Sequence, residues 1–224
     1  MLLHTETAMK KLIIRILLST LGVINIGLGC GVVVEMAVGC DTCACFNRSI
    51  YYILYDNLGA FPYGHLNLGI NVVIFLFMLK IKPKLIGYGT LFNMVAVGYI
   101  VDFVHFLFAF FGVSGGELNL VLRILLVFLA MPVIAFGDAL YFEADLGISP
   151  YDAVAFMIEK VLKYRYSYRV VRTASDIGFL VSGFLLGFVT GRQWELANVG
   201  SVILALFTGT VIEWWRRRLR GGER

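Results

Sequence analysis

Long apolar runs separated by short polar segments make up most of this chain. Runs of about 20 apolar residues are typical of transmembrane helices, because a helix of that length crosses a hydrocarbon core of about 30 Å. Strands that cross a membrane need only about 10 residues, so the runs favour helices over a barrel. The pattern predicts six spans, at residues 12–38, 65–81, 86–112, 118–144, 168–190 and 195–215.

Two polar breaks follow the first and the fourth of these spans. Their sequences are "EMAVGCDTCACF" at residues 35–46 and "EADLGISPYDAV" at residues 143–154. Beyond each break, apolar residues recur at positions i, i+4, i+7 and i+8, which is the stripe of an amphipathic helix. We therefore expect one short amphipathic helix near residues 43–55 and another near residues 150–163.

Both breaks carry residues that begin helices. Ser149 can serve as an N-cap, Pro150 suits the first helical position, and Asp152 completes a capping box. Asp41 or Thr42 can cap the first copy. Because helix N-termini attract anions, the two caps together could hold an anionic substrate.

The depth of the breaks in the membrane has two interpretations. Residues 11–39 would form about 42 Å of helix, which exceeds the core thickness. That length predicts breaks near the membrane surfaces, the first outside and the second inside, with interfacial helices. A kink at "GLGCG" would instead draw the first break inward and make the short helices re-entrant.

The two halves of the chain match each other in register. Each half would contain three spans, and because three is an odd number, the second half would enter the membrane in the direction opposite to that of the first. The sequence therefore predicts an all-α polytopic membrane protein, with six transmembrane helices in a 3+3 inverted-topology repeat. Residues 1–224 would form a single membrane domain, with repeats at 12–113 and 118–216. A shift of 108 residues aligns Gly29 with Gly137, Glu35 with Glu143 and Gly39 with Gly147, and a shift of 111 aligns Gly89 with Gly200, Gly98 with Gly209 and Asp102 with Glu213.

Basic residues set the expected orientation. With both termini in the cytoplasm, the inner segments hold sixteen of the 19 Lys and Arg residues, and the outer side holds Arg48, Arg123 and Arg192. This distribution follows the positive-inside rule and predicts a multi-pass protein with the lipid bilayer as its partner. In a chain that is 59% hydrophobic, the net charge of +4 orients the protein and gives no reason to expect nucleic acid.

Polar side chains inside the spans are candidates for a binding site, because they are costly in lipid. Arg172 precedes Asp176 by four residues and can pair with it on one helix face. A structural pair, with asparagines that join helices, is the alternative. The predicted site for a small polar solute comprises Asp176, Arg172, Asn71, Asn67 and Asn93.

Asp102 and His105 are a second polar pair, three residues apart in the third span. They could relay protons, since His titrates near neutral pH, or they could lie at the outer interface. The spacing of the two residues fits a proton relay and an interfacial position equally.

Cysteines and glycines supply two further expectations. Cys40, Cys43 and Cys45 lack a nearby His or a second pair, so no metal site is expected, while a disulfide and free thiols both remain open. Successive G-x-x-x-G steps predict a close-packing face, either within the chain or between protomers of a homo-oligomer. Its members are Gly183, Gly187 and Gly191.

Three consecutive segments resemble a known family. "GDALYFEADLGISPYDAVAF", "RVVRTASDIGFLVSGFLLGF" and "NVGSVILALFTGTVIEWW" are similar to the YczE/YyaS/YitT group of bacterial integral membrane proteins. The resemblance covers about residues 130–215 and is strongest at "LGISPYD", whereas "GCDTCACF" departs from the G-x-S-P form. It implies a small multi-span protein of the bacterial plasma (inner) membrane and supplies no biochemical activity.

The sequence contains no Walker loop or H-E-x-x-H motif, so we expect no enzyme, no catalytic residue and no cofactor. Two hypotheses for function remain. The first is a permease-like transporter of a small solute, whose halves alternate in access around a site near mid-membrane. The second is a non-transporting membrane module, either an assembly partner or the substrate-binding subunit of a larger importer.

Overall fold

The computed structural model describes residues 2–39, 41–166, 168–196, 201 and 211–220. Within these residues all regular structure is helical, and residues 211–220 are helical as well. The α-helices are α1 (Leu2–Met36), α2 (Thr42–Leu58), α3 (Tyr63–Ile81), α4 (Tyr88–Phe110), α5 (Leu120–Ala144), α6 (Pro150–Val161), α7 (Tyr168–Thr190) and α8 (Gln193–Leu196), with 3-10 turns at Pro83–Leu85 and Gly115–Glu117.

Five of the described helices are long and apolar enough to cross a membrane, and they coincide with the first five predicted spans. The expected class of all-helical membrane protein is therefore confirmed. The sixth predicted span, residues 195–215, lies mostly outside the described residues, and so do Gly200 and Gly209. The five candidate spans are Met9–Met36, Tyr63–Ile81, Tyr88–Phe110, Leu120–Ala144 and Val170–Thr190.

Helices α1 and α5 pack against each other at the centre of the fold. Two glycines allow the close approach of their backbones. A Cβ atom added at Gly22 would lie 2.7 Å from the carbonyl oxygen of Gly137, and one added at Gly137 would lie 2.7 Å from that of Gly22. No Cβ atom is tolerated so close to a backbone oxygen, so a side chain at either position would force the helices apart.

An arginine binds each end of this helix pair. Arg15, near the start of α1, donates from Nε to the carbonyl oxygen of Ala144 at 2.7 Å and from Nη2 to that of Asp145. Arg123, near the start of α5, donates from Nε to the carbonyl oxygen of Met36 at 2.5 Å. A helix C-terminus carries unpaired carbonyl groups and a partial negative charge, which a guanidinium complements. The two helices are therefore antiparallel, with an Arg15 end and an Arg123 end.

The segments that follow α1 and α5 share one backbone conformation. The first residue after each helix has a positive φ, 49° at Ala37 and 48° at Asp145. Two residues later, φ is 126° at Gly39 and 111° at Gly147. Positive φ is strained for residues with a Cβ and natural for glycine, and here it reverses the chain direction. Both segments therefore turn back instead of continuing from the helix end.

The short helices begin with the expected caps. The Asp41 carboxylate accepts a hydrogen bond from the backbone N–H of Ala44 at 2.9 Å and so caps α2. The Ser149 hydroxyl accepts from the backbone N–H of Asp152 at 3.1 Å and so caps α6. In place of the backbone bond of a capping box, the Asp152 carboxylate accepts from the Ser149 hydroxyl at 2.7 Å. The two predicted N-caps are confirmed.

Helices α2 and α6 lead to opposite ends of α3. At the start of α3, the Tyr51 hydroxyl of α2 donates to the carbonyl oxygen of Phe61 at 2.8 Å. At the end of α3, the Lys160 ammonium of α6 donates to the carbonyl oxygen of Ile81. The 19 residues of α3 separate these two places by about 28 Å. In addition, α2 packs against α7, and α6 packs against α3.

The sequence predicts one break near each membrane face. For the starts of the two short helices this prediction is wrong. The hydroxyl of Thr42, at the start of α2, lies 2.5 Å from the hydroxyl of Tyr151, at the start of α6. The physical reason is the backward turn that begins at residues 37–39, beyond which Asp41 lies 3.9 Å from the thiol of Cys30. Because Cys30 lies six residues before the end of α1, the start of α2 lies about 9 Å inside that end.

The predicted glycine face on α7 packs within the chain. A Cβ atom at Gly183 would lie 2.8 Å from the backbone carbon of Cys45 in α2, and one at Gly187 would lie 2.8 Å from Cα of Gln193. Gly191 follows the end of α7 with φ of 70°. Gly183 and Gly187 are thus buried by α2 and α8, and the homo-oligomer expected through this face is not supported.

Candidate functional site

A hydrogen-bonded chain joins the starts of α2 and α6 to the middle of α7. The Tyr151 hydroxyl donates to Asp176 Oδ1 at 2.5 Å. Its single proton is thereby used, so the Thr42 hydroxyl, 2.5 Å away, is the donor to the Tyr151 oxygen. Helix α2, from the first half of the chain, therefore meets α6 and α7 of the second half in one polar contact.

Arg172 binds two carboxylates at this point. Its Nη1 donates to Asp152 Oδ1 at 2.6 Å, and its Nε donates to Asp176 Oδ2 at 3.2 Å. The guanidinium also lies over the Tyr151 ring, with its central carbon 4.6 Å from the ring centroid. The side chain of Asp152 is 15% exposed and that of Asp176 is 29% exposed, so these ion pairs are largely shielded from solvent. A guanidinium that forms a fork to two carboxylates fixes α6 against α7.

Two further carboxylates lie within electrostatic range of Arg172. Asp41 and Asp138 interact electrostatically with each other and with Arg172. Asp138 also interacts with Asp152. Both are half-buried, and among the described residues neither forms an ion pair within 4 Å. We call the set of Asp41, Asp138, Asp152, Asp176 and Arg172 the junction cluster.

The junction cluster has an aromatic border that leads to the protein surface. The Phe179 ring contacts the Tyr151 ring with centroids 5.2 Å apart, and it contacts the Phe46 ring at 5.5 Å. Phe46 and Phe179 also line an open apolar groove of about 620 Å³ between α6 and α7. The groove therefore approaches the cluster from the side and is separated from it by Tyr151 and Phe179.

The structure divides the predicted site residues between two networks. Arg172 and Asp176 lie in the junction cluster, and the expected pair between them is present at 3.2 Å. Asn67 and Asn71 belong to a second network, in which Asn47 Nδ2 donates to Asn67 Oδ1 at 3.1 Å and Asn71 Nδ2 donates to the Asn67 carbonyl oxygen at 2.9 Å. This network joins α2 to α3.

The sequence predicts Asn71 and Asn93 as members of one site with Asp176. In the described part of the chain no hydrogen bond links Asn71 to Asp176, because the Asn71 amide is directed at its own helix. Asn93 is half-buried on α4 and lies in neither network.

Asp102 and His105 have separate partners. Asp102 accepts from the backbone N–H groups of Tyr63 at 3.0 Å and Gly64 at 2.6 Å, and so it caps the start of α3. His105 Nδ1 lies 2.6 Å from a carboxylate oxygen of Glu35 in α1, with 71% of the His105 side chain exposed. These contacts join α4 to its neighbours, and a proton relay through the two residues stays a prediction.

Three of the four cysteines lie within the described residues. Cys30 and Cys43 are free thiols, and the Cys45 thiol lies 3.7 Å from the Ser201 hydroxyl. Cys40 lies outside the described residues. Over the residues that the structure describes, no group of three or more His, Cys, Asp or Glu side chains is spaced to hold a metal ion.

Sequence reasoning identified part of the junction cluster and missed the rest. The sequence gives Asp41 and Asp152 only capping roles and assigns no role to Asp138. The signal that could have found them is the 108-residue register, which aligns the caps Asp41 and Ser149. It also aligns Cys30 with Asp138, and the Cys30 thiol lies 3.9 Å from the Asp41 carboxylate.

Comparison with known proteins gives a family and no activity. The model of a family of unknown function, DUF6198, matches residues 13–217. An uncharacterized protein of Haemophilus influenzae is 26% identical over 202 residues, which cover 90% of this chain and 82% of that protein. The uncharacterized membrane protein YczE of Bacillus subtilis is 24% identical over 207 residues, which cover 91% of this chain and 86% of that protein. No solved structure matches the chain.

Proposed function

Because the chain belongs to DUF6198, a YczE-like family of membrane proteins without a known activity, we propose its function from its geometry. It is a small-solute transporter of the bacterial plasma membrane, with its site at the junction cluster. The observation that carries this proposal is the meeting of α2 and α6 at Thr42 and Tyr151. In secondary transporters, substrate sites are typically formed near mid-membrane by the ends of broken helices. The starts of α2 and α6 meet in a comparable place, between the two ends of the α1–α5 pair.

The proposed mechanism requires two halves related by inverted symmetry. Reciprocal contacts support such a 3+3 repeat. Arg15 and Arg123 are 108 residues apart, and each binds the C-terminal carbonyl groups of the other half's first helix. The positive φ values at Ala37 and Asp145 follow the same register, as do the caps Asp41 and Ser149. Packing is reciprocal as well, since α2 contacts α7 and α6 contacts α3.

Under this symmetry, the junction cluster would lie where alternating access requires a site. The cluster lies between α2, α6 and α7, which belong to different halves of the proposed repeat. If one half rocked against the other around α1 and α5, the site would open first toward one end of α3 and then toward the other. Six spans, with both termini in the cytoplasm, would put the Arg15 end at the cytoplasmic face. The short helices would then be re-entrant in the membrane and would diverge toward opposite faces.

A native thiol offers a test that requires no knowledge of the solute. Cys30 contacts Asp41 at the edge of the junction cluster. A variant that retains Cys30 alone, with the other three cysteines replaced by alanine, is prepared in right-side-out and in inside-out vesicles. A small membrane-impermeant methanethiosulfonate reagent should modify Cys30 in both preparations if access alternates. The matched control replaces Cys30 by alanine as well and should not react.

Modification from one side only, or from neither side, would contradict the transporter and favour a non-transporting membrane module. Detergent thermal unfolding of the two cysteine variants shows whether both retain the stability of the parent protein.

A further inference from the structure

The open groove between α6 and α7 lies beside the junction cluster and at membrane depth. Its wall on α7 extends from Val170 to Ser182, and this whole stretch belongs to the candidate span Val170–Thr190. The opposite wall is formed by residues spaced four apart, Val154, Ile158 and Leu162. A groove of about 620 Å³ on the surface of a membrane span faces hydrocarbon in place of water.

The lining of the groove is apolar and accessible. Val170 is 56% exposed and Leu162 is 42% exposed. The Ser175 hydroxyl donates to the carbonyl oxygen of Val171 at 2.8 Å, so its proton is used within α7. Among the described residues, the lining comes from α2, α6, α7 and the turn that joins α6 to α7. Such a surface fits a hydrocarbon chain.

The length of the groove matches one leaflet of the membrane. The 12 residues from Val170 to Ser182 correspond to about 18 Å of helix. One leaflet contributes about half of a hydrocarbon core of about 30 Å. The groove therefore suits an acyl chain of a lipid from a single leaflet better than a molecule that crosses the membrane.

A basic turn closes one end of the groove. Lys163 and Tyr164 have φ of 53° and 57°, and the Arg165 N–H donates to the carbonyl oxygen of Leu162 at 3.2 Å. The guanidinium carbon of Arg165 lies 5.8 Å from the ring centroid of Tyr166. Because Leu162 and Tyr166 both line the groove, the Arg165 guanidinium lies directly beside its end.

The positive charge of this turn is not neutralised by neighbouring carboxylates. Glu159, on α6, is paired with Lys82 at 3.9 Å. Lys163 and Arg165 are exposed, and within the described part of the chain neither forms an ion pair. A guanidinium can bind two oxygens of one phosphate group, and basic pockets between transmembrane helices bind anionic lipid headgroups.

We propose that an anionic phospholipid binds in this groove, with one acyl chain along α7 and its phosphate at Arg165 and Lys163. The charge of the turn and the apolar lining each match one part of this ligand. The inference goes beyond solute transport and does not depend on the junction cluster. Because the lipid would contact both α6 and α7, it should stabilise their packing.

The full chain, stripped of lipid in detergent, is tested with dioleoylphosphatidylglycerol and with dioleoylphosphatidylcholine as probes. Native mass spectrometry counts the bound lipids. We expect saturable binding of one phosphatidylglycerol, and at least fivefold weaker binding of phosphatidylcholine. Arg165→Gln should weaken phosphatidylglycerol binding about fivefold, the effect of one basic residue at a membrane surface. The matched control is Arg217→Gln, at a side chain that is 79% exposed on the C-terminal helix, and it should bind as the parent does.

A glycine in the groove allows the acyl chain to be tested separately. Gly178 lines the groove, and a Cβ atom added there would meet nothing within 4 Å. Gly178→Leu should therefore fill the groove without a clash and weaken phosphatidylglycerol binding at least fivefold. Its unfolding temperature without lipid should equal or exceed that of the parent. Gly69→Leu, at another glycine with nothing within 4 Å, is the control and should leave binding unchanged.

Equal binding of the two lipids would overturn the inference, as would an equal loss from Arg165→Gln and Arg217→Gln, since overall charge would then hold the lipid. Unchanged binding in Gly178→Leu would also overturn it. If Gly178→Leu converted a dimer to monomers in light scattering, the occupant of the groove would be a second copy of the chain. If glycerol 3-phosphate bound as tightly as phosphatidylglycerol, the turn would be a site for free phosphate esters, and the lipid would again be excluded. Arg165 is exposed, so Arg165→Gln keeps the test decisive even if Gly178→Leu fails to fold.

Discussion

The Thr42 hydroxyl lies 2.5 Å from the Tyr151 hydroxyl, although 109 residues separate them in the chain. This contact joins the starts of two short helices that run to opposite ends of α3. It also continues through Tyr151 to Asp176. The polar centre of the protein is therefore assembled from both halves of the chain.

Removal of the Tyr151 hydroxyl tests this contact. Tyr151→Phe keeps the ring that packs on Phe179 and deletes the hydrogen bonds to Thr42 and Asp176. We expect a loss of about 1–3 kcal/mol in the free energy of unfolding, because two shielded polar groups lose a partner. Thermal unfolding in detergent measures the change. Tyr55→Phe, on an exposed ring, is the control and should leave stability within about 0.5 kcal/mol of the parent.

Arg172 should matter more than either of the carboxylates that it binds. Arg172→Gln leaves Asp152 and Asp176 without their shared cation, so we expect a loss of about 2 kcal/mol. Asp176→Asn alone should cost less, since Arg172 retains Asp152. Combining Arg172→Gln with Asp176→Asn should recover part of the loss, because one uncompensated charge disappears. A double variant as unstable as the sum of the single variants would contradict the shared ion pair.

The close approach of α1 and α5 predicts intolerance of one added methyl group. Gly22→Ala and Gly137→Ala each place a Cβ atom 2.7 Å from a backbone oxygen of the opposite helix. We expect a loss of about 1–3 kcal/mol for each substitution. Gly69→Ala on α3 meets nothing within 4 Å and serves as the matched control. That control should be neutral or more stable by up to about 1 kcal/mol, as judged by thermal unfolding.

The arginines at the two ends of the α1–α5 pair should act independently. Arg15→Gln and Arg123→Gln each remove charge-assisted hydrogen bonds to a helix C-terminus, and each should cost about 1 kcal/mol. Because the two sites are at opposite ends of the pair and share no partner, the double variant should lose the sum of the two effects within about 0.5 kcal/mol. A coupling well above that value would mean that the ends are not structurally separate.

Topology can be tested at the far ends of the short helices. Leu58, the last residue of α2, is 76% exposed, and Tyr164, three residues beyond the end of α6, is 61% exposed. In a cysteine-free background, we expect Leu58→Cys to react with an impermeant maleimide from the periplasmic side and Tyr164→Cys from the cytoplasmic side. Labelling of both from the same side would contradict the six-span topology with cytoplasmic termini.

The helices and their caps were predictable because they depend on local sequence. The five candidate spans follow apolar runs, and the caps at Asp41 and Ser149 follow from side-chain chemistry. The Arg172–Asp176 contact follows from spacing on one helix. Each of these features is decided within a few residues, where periodicity and hydrogen-bonding capacity are informative.

The meeting of α2 and α6 was not predictable from helix length. It depends on the positive φ values at Ala37 and Gly39, which turn the chain back beside α1. Alanine gives no sequence signal for such a conformation. The polar partners of the asparagines were hidden for a related reason, since Asn71 hydrogen-bonds within α3 and its depth in a span does not reveal the direction of its side chain.

Each short helix packs against a span of the other half. This arrangement constrains the order in which contacts can form during synthesis. The Ser49 hydroxyl of α2 donates to the carbonyl oxygen of Gly183 in α7, 134 residues later. At a synthesis rate of about 5–20 residues per second, the ribosome needs on the order of 10 s to produce that partner. Throughout this interval α2 has no α7 to pack against, and the Ser49 hydroxyl has the carbonyl oxygen of Cys45 in its own helix as its acceptor. A nascent chain that ends after α4 is therefore an unfinished assembly, which acquires this contact of α2 only when α7 is made.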